Sequence, residues 1–579
     1  MYTLGINAAF HDCSATLVRD GEVLAAAEEE RFTRIKHGKR PVPFSAWQLP
    51  YHAIDYCLAY AGITLSDVDH VAYSFDPSLL AGGRPLPETI TLPLEPSRQT
   101  HGADGLSPWD PLFLSYIVNA PRQLIGGAPH HLRQRFEGLT LDQLLGRWQY
   151  VEHHLSHEAS AFLAAPCEEC AVLTMDGRGE RVTTSYGHFT KGRYRRLRQI
   201  DLPHSLGLLY EDVTDYLGFL RSSDEYKVMA LASYGKPEYV DLFREIVRLD
   251  KEGGYTMEPI NLVSRFGPAR KRGSPFEQRH MDIAHSLQQM LEETALHMAT
   301  WLQAQTGAQH LSMAGGVALN CVMNARIAAD GPFKSVWVQP AAGDAGTSLG
   351  AALWVDYERR EAPGRRWAMQ HAYLGPEYAD EEIERLLDRS HLAYRRLDDV
   401  AEQAAELLAQ EKILGWFQGR MEFGPRALGA RSILASPRDS AMQARLNGLK
   451  DREDFRPVAP VVMEERAHEW FDARGETGIC APFMLFVYDV LPHRERQIPA
   501  VKHIDGTARV QTVRRDQHAL YYDLLAAFER RTGVPVLVNT SFNTRGLPVV
   551  CTPRDALESF WTSPLDALVI GSYLVEKPL

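Results

Sequence analysis

The chain has 579 residues, 45% of them hydrophobic and 23% charged, the make-up of a folded globular protein rather than a disordered or fibrous one. At that length a single core is too few, so two or three domains are expected. A formal net charge of -12, from 62 Lys+Arg against 74 Asp+Glu, opposes non-specific attraction to nucleic acid or anionic lipid, so any anion site has to be a local cluster.

From Thr3 the chain reads as a strand (TLGIN), a polar corner at His11-Asp12, an alternating strand (CSATLV), an Asp20-Gly21 turn and a third strand (EVLAAAEE). Asp-Gly between two alternating runs signals a hairpin, because the two-residue turn needs positive φ values. Asn7, His11 and Asp12 interrupt the apolar stretch that a signal peptide would need, and no apolar run reaches bilayer length, so a cytoplasmic protein is expected. The seven scattered cysteines fit reduced thiols, and the one CxxC pair, Cys167 and Cys170, reads as structural.

Residues 76–146 are rich in Pro, Gly and Leu with poor periodicity and read as an insertion of loops and helices rather than a core layer. VEHHLSHEASAFLAA then has helical composition, and AVLTMDGRGERVTTSYGHF repeats the strand, Gly-rich corner and strand of the N-terminus, a degenerate internal duplication. Residues 286–307 predict a long amphipathic helix, followed by two strand, turn and helix units, HLSMAGGVALNCVMNARIA and SVWVQPAAGDAGTSLGAALW. Alternating strands and helices make the class α/β. The charged segment 357–370, with Pro363 and Gly364, marks a boundary. A second α/β unit comes next, holding ILGWFQG, FGPRALGARS, LKDREDFRPVAP and VPVLVNTSFNTRGLPVV.

Chemistry concentrates at a few of these places. On a helix, His153 and His157 share a face while His154 points elsewhere. Core histidines satisfied by hydrogen bonds are the plainer reading of that pair, but Asp176 at a DG corner and Asp344 in a Gly-rich loop add two carboxylates. Two imidazoles and two carboxylates suit a divalent ion, and residue types do not choose among Fe, Mn, Zn and Mg. Gly-rich corners at 176–179, 314–316 and 343–346 let backbone N–H groups approach phosphate, without a P-loop or Rossmann fingerprint. In the second half Arg426, Arg431, Lys450, Arg452, Arg456 and Arg509 interrupt turns rather than line a helix, which favours a phosphate site over a solvated basic face. Asn539 and Ser541 come after the strand VPVLV, where an open α/β sheet presents ligands.

FHDCSATLVRDGEVLAAAEEERFTRIKHG, EHHLSHEASAF, SLGLLYEDVTDYLGF, AGGVALNCVMN, GDAGTSLGAAL, GPRALGARSIL, KDREDFRPVAPVV and NTSFNTRGLPVV, in this order, resemble the NodU/CmcH family of O-carbamoyltransferases. The resemblance implies an N-terminal actin-like ATPase (ASKHA) domain over 1–356, similar to threonylcarbamoyl-transfer enzymes, a linker at 357–370, and a C-terminal YrdC-like α/β domain over 371–579. It implies that carbamoyl phosphate and ATP become carbamoyl adenylate, and that the carbamoyl group passes to a hydroxyl of a small natural product.

Carried over residue by residue, the resemblance assigns Arg426, Lys450, Arg456, Arg509, Asn539 and Ser541 to carbamoyl phosphate and nucleotide. His153, His157, Asp176 and Asp344 correspond to metal ligands, with iron the usual metal of close relatives. Lys36, Gly207, Gly316 and Asn320 correspond to an N-terminal nucleotide site, and His11 falls in an acceptor-site HD motif. An imidazole near neutral pKa suits His11 as proton acceptor, with Asp12 orienting it or gripping the acceptor. The partners implied are carbamoyl phosphate, ATP and a hydroxylated small molecule, with no nucleic acid and no membrane; a homodimer is compatible with the sequence. Two other readings stand beside this one. Threonylcarbamoyl transfer to tRNA is disfavoured by the net charge and the lack of a basic tail. A non-catalytic nucleotide-regulated binding protein would have no use for the basic cluster.

Overall fold

Asp20 and Gly21 both take positive φ, 51° and 88°, and the turn they make joins β2 (Ser14–Arg19) to β3 (Glu22–Glu28) with Arg19 opposite Glu22. β1 (Tyr2–Asn7) pairs antiparallel with β2 and parallel with β4 (His70–Tyr73), which pairs parallel with β5 (Trp148–Tyr150). The strand order is β3-β2-β1-β4-β5. The computed structural model describes residues 1–38, 45–80, 124–361, 364–473, 479–544 and 546–577. They fall into two compact units, one of residues 1–164, 178–182 and 343–367, the other of residues 165–177, 183–342 and 368–579.

In the second unit the same pattern returns. β6 (Cys170–Met175) pairs antiparallel with β7 (Val182–Thr190), which neighbours β8 (Arg193–Asp201). After a small antiparallel pair, β9 (Val247–Leu249) with β10 (Tyr255–Met257), the chain adds β11 (His310–Ala314) and β12 (Ser335–Val338), both parallel. The order β8-β7-β6-β11-β12 reproduces the first sheet strand for strand. The duplication read from the sequence is therefore an architectural one.

The second unit also contains an eight-stranded mixed sheet. Its centre is Leu414–Phe417, parallel to Ala567–Ile570 and antiparallel to Arg431–Ala435. Val536–Ser541 then pairs antiparallel with both Arg431–Ala435 and Ala459–Met463. One core of Trp416, Ile433, Val461, Leu537, Leu568 and Phe528 fills the space between sheet and helices.

Two expectations need correction. Residues 81–123 of the predicted insertion lie outside the described residues, but residues 124–135 form a helix whose Leu124, Ala128 and Leu132 are fully buried in the core of the first unit. That end of the insertion is a core layer. The long helix predicted from residue 286 runs over Gln278–Thr306. Its first turns look too polar for a buried helix, but Asp282 is satisfied there by a tertiary partner, the Lys236 N–H at 2.8 Å, and by the Gln278 amide one turn back on the same helix at 2.9 Å. Among the described residues no helix is long and apolar enough to cross a membrane.

Candidate functional site

In the first unit, buried Asn7 ends β1 and folds the next corner: its Nδ2 donates to the carbonyls of His11 and Asp12, both at 3.0 Å. Asp12 takes a left-handed backbone (φ 49°), which turns its carboxylate toward two imidazoles. His11 Nδ1 lies 3.1 Å from Asp12 Oδ2, and His37 Nδ1 lies 2.8 Å from Oδ1. Burial alone would raise the Asp12 carboxyl, but the charge and hydrogen bonds of His11 and His37 hold it well below the usual carboxylate range. Asp12 thus fixes both rings with Nδ1 as donor, which makes Nε2 the basic nitrogen of each.

The second cluster of this unit is fully interior. His153 and His157 stand one turn apart on the helix His153–Phe162 with Nε2 atoms 3.2 Å from each other. Asp344 Oδ1 is 3.5 Å from His153 Nε2 and 3.7 Å from His157 Nε2. Asp344 precedes the helix Ala345–Arg359, and the two helices touch backbone to backbone at Gly350, where a Cβ would lie 1.8 Å from the Ser156 carbonyl. Only glycine permits that approach. Glu180 caps the histidine helix, taking the His153 N–H at 3.0 Å and the Asp76 N–H at 2.6 Å. Burial raises its carboxyl to about 7, with His153 pulling the other way.

Three donors so placed fit a divalent ion. With metal–donor distances of about 2.1 Å, neighbouring donors sit roughly 3.0–3.4 Å apart in octahedral or tetrahedral geometry, close to the spacings here. His153 Nδ1 donates to the Ser74 carbonyl at 3.2 Å, the outer hydrogen bond that sets the ligating tautomer of a metal-bound histidine. The residue types admit Fe, Mn or Zn.

Asp176 belongs to the second unit, just beyond β6, where its Oδ1 accepts the Gly316 N–H at 2.7 Å. Gly207 packs against the same corner: a Cβ there would lie 2.7 Å from Gly177. Asn320 caps the helix Cys321–Asp330 through Met323 N–H at 3.0 Å and exchanges hydrogen bonds with Gln288. The structure thus gathers Gly207 and Gly316 on Asp176-Gly177, while Lys36 lies in the first unit.

The cationic residues of the second unit converge. Lys450, at the end of the helix Met442–Leu449, donates to the Ser541 carbonyl, to Ser541 Oγ at 2.9 Å and to Asn543 Oδ1 at 2.7 Å. Its ammonium is driven well below the usual lysine range by burial, then by Arg452 and Arg456. Burial pushes the Arg426 guanidinium down to about 9, with Arg509 and Arg456 adding repulsion. Arg452 falls to about 9 for the same reasons, burial first and then Arg456 and Arg509. The Nε atoms of Arg426 and Arg509 and Asn539 Oδ1 are buried and have no hydrogen-bond partner among the described residues. Asn539 Nδ2 is held by the Ala427 carbonyl at 3.1 Å and Gln511 Oε1 at 2.7 Å. Mutually repelling, incompletely satisfied cations have the chemistry to receive a polyanion.

Arg431 does not belong to that site, contrary to its reading as part of the basic cluster. It is completely buried, donates to the carbonyls of Gln418, Gly419, Ala430 and Pro376, and stacks 3.7 Å from the Phe417 ring centre. It braces the sheet. Sequence reasoning also overlooked Tyr226, whose ring lies 4.8 Å from the Arg456 guanidinium, and Cys321, whose thiol is a neighbour of Arg509. Both lie more than a hundred residues from the cluster in sequence, where no spacing rule reaches.

Two family models match the chain, "Carbamoyltransferase N-terminus" over residues 2–79 and 137–353 and "Carbamoyltransferase C-terminus" over residues 405–577. An uncharacterized protein of Synechocystis sp. (strain ATCC 27184 / PCC 6803 / Kazusa) is 40% identical over 621 residues, covering 100% of this chain and 97% of that protein. The nodulation protein NolNO of Sinorhizobium fredii (strain NBRC 101917 / NGR234) is 40% identical over 591 residues, 99% of this chain and 80% of its own length. Among solved structures, HypF of T. kodakarensis aligns at 14% identity with a TM-score of 0.31, over 61% of this chain and 47% of that one.

Proposed function

The chain belongs to the carbamoyltransferase family, and on that premise we propose that it is an ATP-dependent O-carbamoyltransferase acting on a hydroxyl of a small natural product in the cytoplasm. Residues 371–579 serve activation, residues 1–356 serve transfer, and 357–370 join them. The observation that carries this reading is the cationic group of buried Lys450 with half-buried Arg426, Arg452, Arg456 and Arg509, which calls for a phosphorylated ligand.

In the activation step carbamoyl phosphate, ATP and one water give carbamoyl adenylate, inorganic phosphate and pyrophosphate. Arg426, Arg456 and Arg509 neutralise the phosphate oxygens, and Lys450 with Asn539 and Ser541 orients the carbamoyl group and its leaving phosphate. That one water is consumed in releasing phosphate from carbamoyl phosphate, and the protein around these residues keeps further water from the adenylate once it has formed. In the transfer step the acceptor hydroxyl attacks the carbamoyl carbon, its proton goes to His11 Nε2, and AMP leaves with the adenylate oxygen. Asp12 holds His11 in the tautomer that can take the proton. Lys36, Gly207, Gly316 and Asn320 are the nucleotide contacts of the transfer segment. His153, His157 and Asp344, with Asp176 as the fourth donor that the family resemblance implies, would hold a divalent ion, iron foremost. Such an ion supplies Lewis-acid neutralisation of phosphate charge.

A panel of hydroxylated acceptors, incubated with carbamoyl phosphate and ATP and read by mass, tests the reading. One acceptor gaining a single carbamoyl group, with AMP formed, supports it. ADP formation, or AMP formation that ignores carbamoyl phosphate, refutes it.

A further inference from the structure

The loop that carries Arg456 is gripped at three successive points by a segment some 220 residues earlier in the chain. Lys227 Nζ pairs with Glu453 at 2.9 Å and is also 3.2 Å from Asp224. The Phe455 ring packs edge-on to Phe276 at 5.6 Å, and its carbonyl accepts from the Tyr234 hydroxyl at 3.4 Å. Arg456 places its guanidinium carbon 4.8 Å from the centre of the Tyr226 ring, while Glu453 stands 3.6 Å from its Nη1. Tyr226 and Lys227 are neighbours on the helix Glu225–Ala232, so one turn of helix contacts both Glu453 and Arg456 of the loop.

A long arginine side chain has many rotamers, and an anion site needs it in one. A carboxylate could hold it, but only by occupying the N–H groups and neutralising the charge that the anion requires. An aromatic face holds a guanidinium through its π surface and leaves the in-plane N–H fork for a bidentate acceptor. Lys227 complements this by drawing charge from Glu453, the carboxylate beside Arg456. We infer that Tyr226 is a positioning residue of the activation site, presenting Arg456 to the phosphate of the carbamoyl donor, so that this site is completed by a residue from the segment matched as the carbamoyltransferase N-terminus. The inference rests on the proposed function for the identity of the donor and on geometry for the role.

Calorimetric titration of the full chain with inorganic phosphate tests it without relying on turnover. Tyr226→Ala should weaken phosphate binding by about 3–30-fold, the range of a partly desolvated cation–π contact, and Tyr226→Phe, which keeps the ring, should stay within about twofold. In an Arg456→Ala background the same Tyr226→Ala change should add less than about twofold, because the two residues act as a unit. In carbamoyl-phosphate-dependent pyrophosphate release, Tyr226→Ala should raise KM for carbamoyl phosphate with little change in kcat. The inference is overturned if Tyr226→Phe binds phosphate as weakly as Tyr226→Ala, or if Tyr226→Ala loses as much with Arg456 absent as with it present. A wild-type chain that binds phosphate yet never releases pyrophosphate sinks the proposed function alone, and the phosphate titrations still decide the role of Tyr226.

Discussion

Arg426→Met should stabilise the protein in anion-poor buffer while abolishing activation. Burial, with Arg509 and Arg456 adding repulsion, brings the Arg426 guanidinium down from the usual arginine range to about 9, which at about 1.36 kcal/mol per pKa unit is roughly 5 kcal/mol of unfavourable free energy. The side chain is partly exposed, so solvent screening reduces the recoverable part to about 1–3 kcal/mol. Linkage sets the sign. A cation whose folded pKa is lowered destabilises the fold at full strength below about 9, and the penalty fades as pH rises from there toward the usual arginine range. The variant should therefore melt about 1–5 °C higher than wild type at pH 7, and the gap should narrow above pH 9. Phosphate at a hundred times its Kd should stabilise the wild type by about 2.7 kcal/mol and the variant far less. Scanning fluorimetry with and without phosphate at constant ionic strength measures both effects. A lower melting temperature for Arg426→Met, or an undiminished response to phosphate, would refute the electrostatic argument.

Arg431→Met, chemically the same change five residues on, should do the opposite: the carbonyls of Gln418, Gly419, Ala430 and Pro376 each lose the arginine, with only Ala430 and Pro376 keeping a backbone N–H donor outside the strand ladders, stability falls by about 3 kcal/mol or more, and the folded fraction keeps its KM for carbamoyl phosphate. Gly350→Ala forces a Cβ to 1.8 Å from the Ser156 carbonyl; elemental analysis should find less bound metal, and denaturant unfolding a loss of about 1–3 kcal/mol. His11→Gln should lower carbamoyl transfer by about 10²–10⁴-fold while pyrophosphate release that depends on carbamoyl phosphate continues, which coupled assays of the two products separate.

Local chemistry was the part of this molecule most open to sequence reasoning. The Asp20-Gly21 hairpin, the shared face of His153 and His157 and the repeated strand pattern each arise from rules that act within a few residues, and the structure bears each of them out. What escaped depends on distant partners. Arg431 and Arg426 are indistinguishable as letters, yet a strand register sets the terminal nitrogens of one against four carbonyls and sets the other beside the cations Arg509 and Arg456. The polar start of the helix Gln278–Thr306 is stable because of Lys236, and the burial of residues 124–135 because of the first sheet. Tyr226 reaches Arg456 across some 230 residues, a contact that no periodicity announces.

Feeding preformed carbamoyl adenylate to the Arg456→Ala chain bears most directly on whether activation and transfer are separate tasks of this protein. The account predicts that the variant releases no pyrophosphate from ATP and carbamoyl phosphate, yet carbamoylates its acceptor from supplied adenylate at nearly the wild-type rate. Equal loss of both reactions in a folded variant would contradict it.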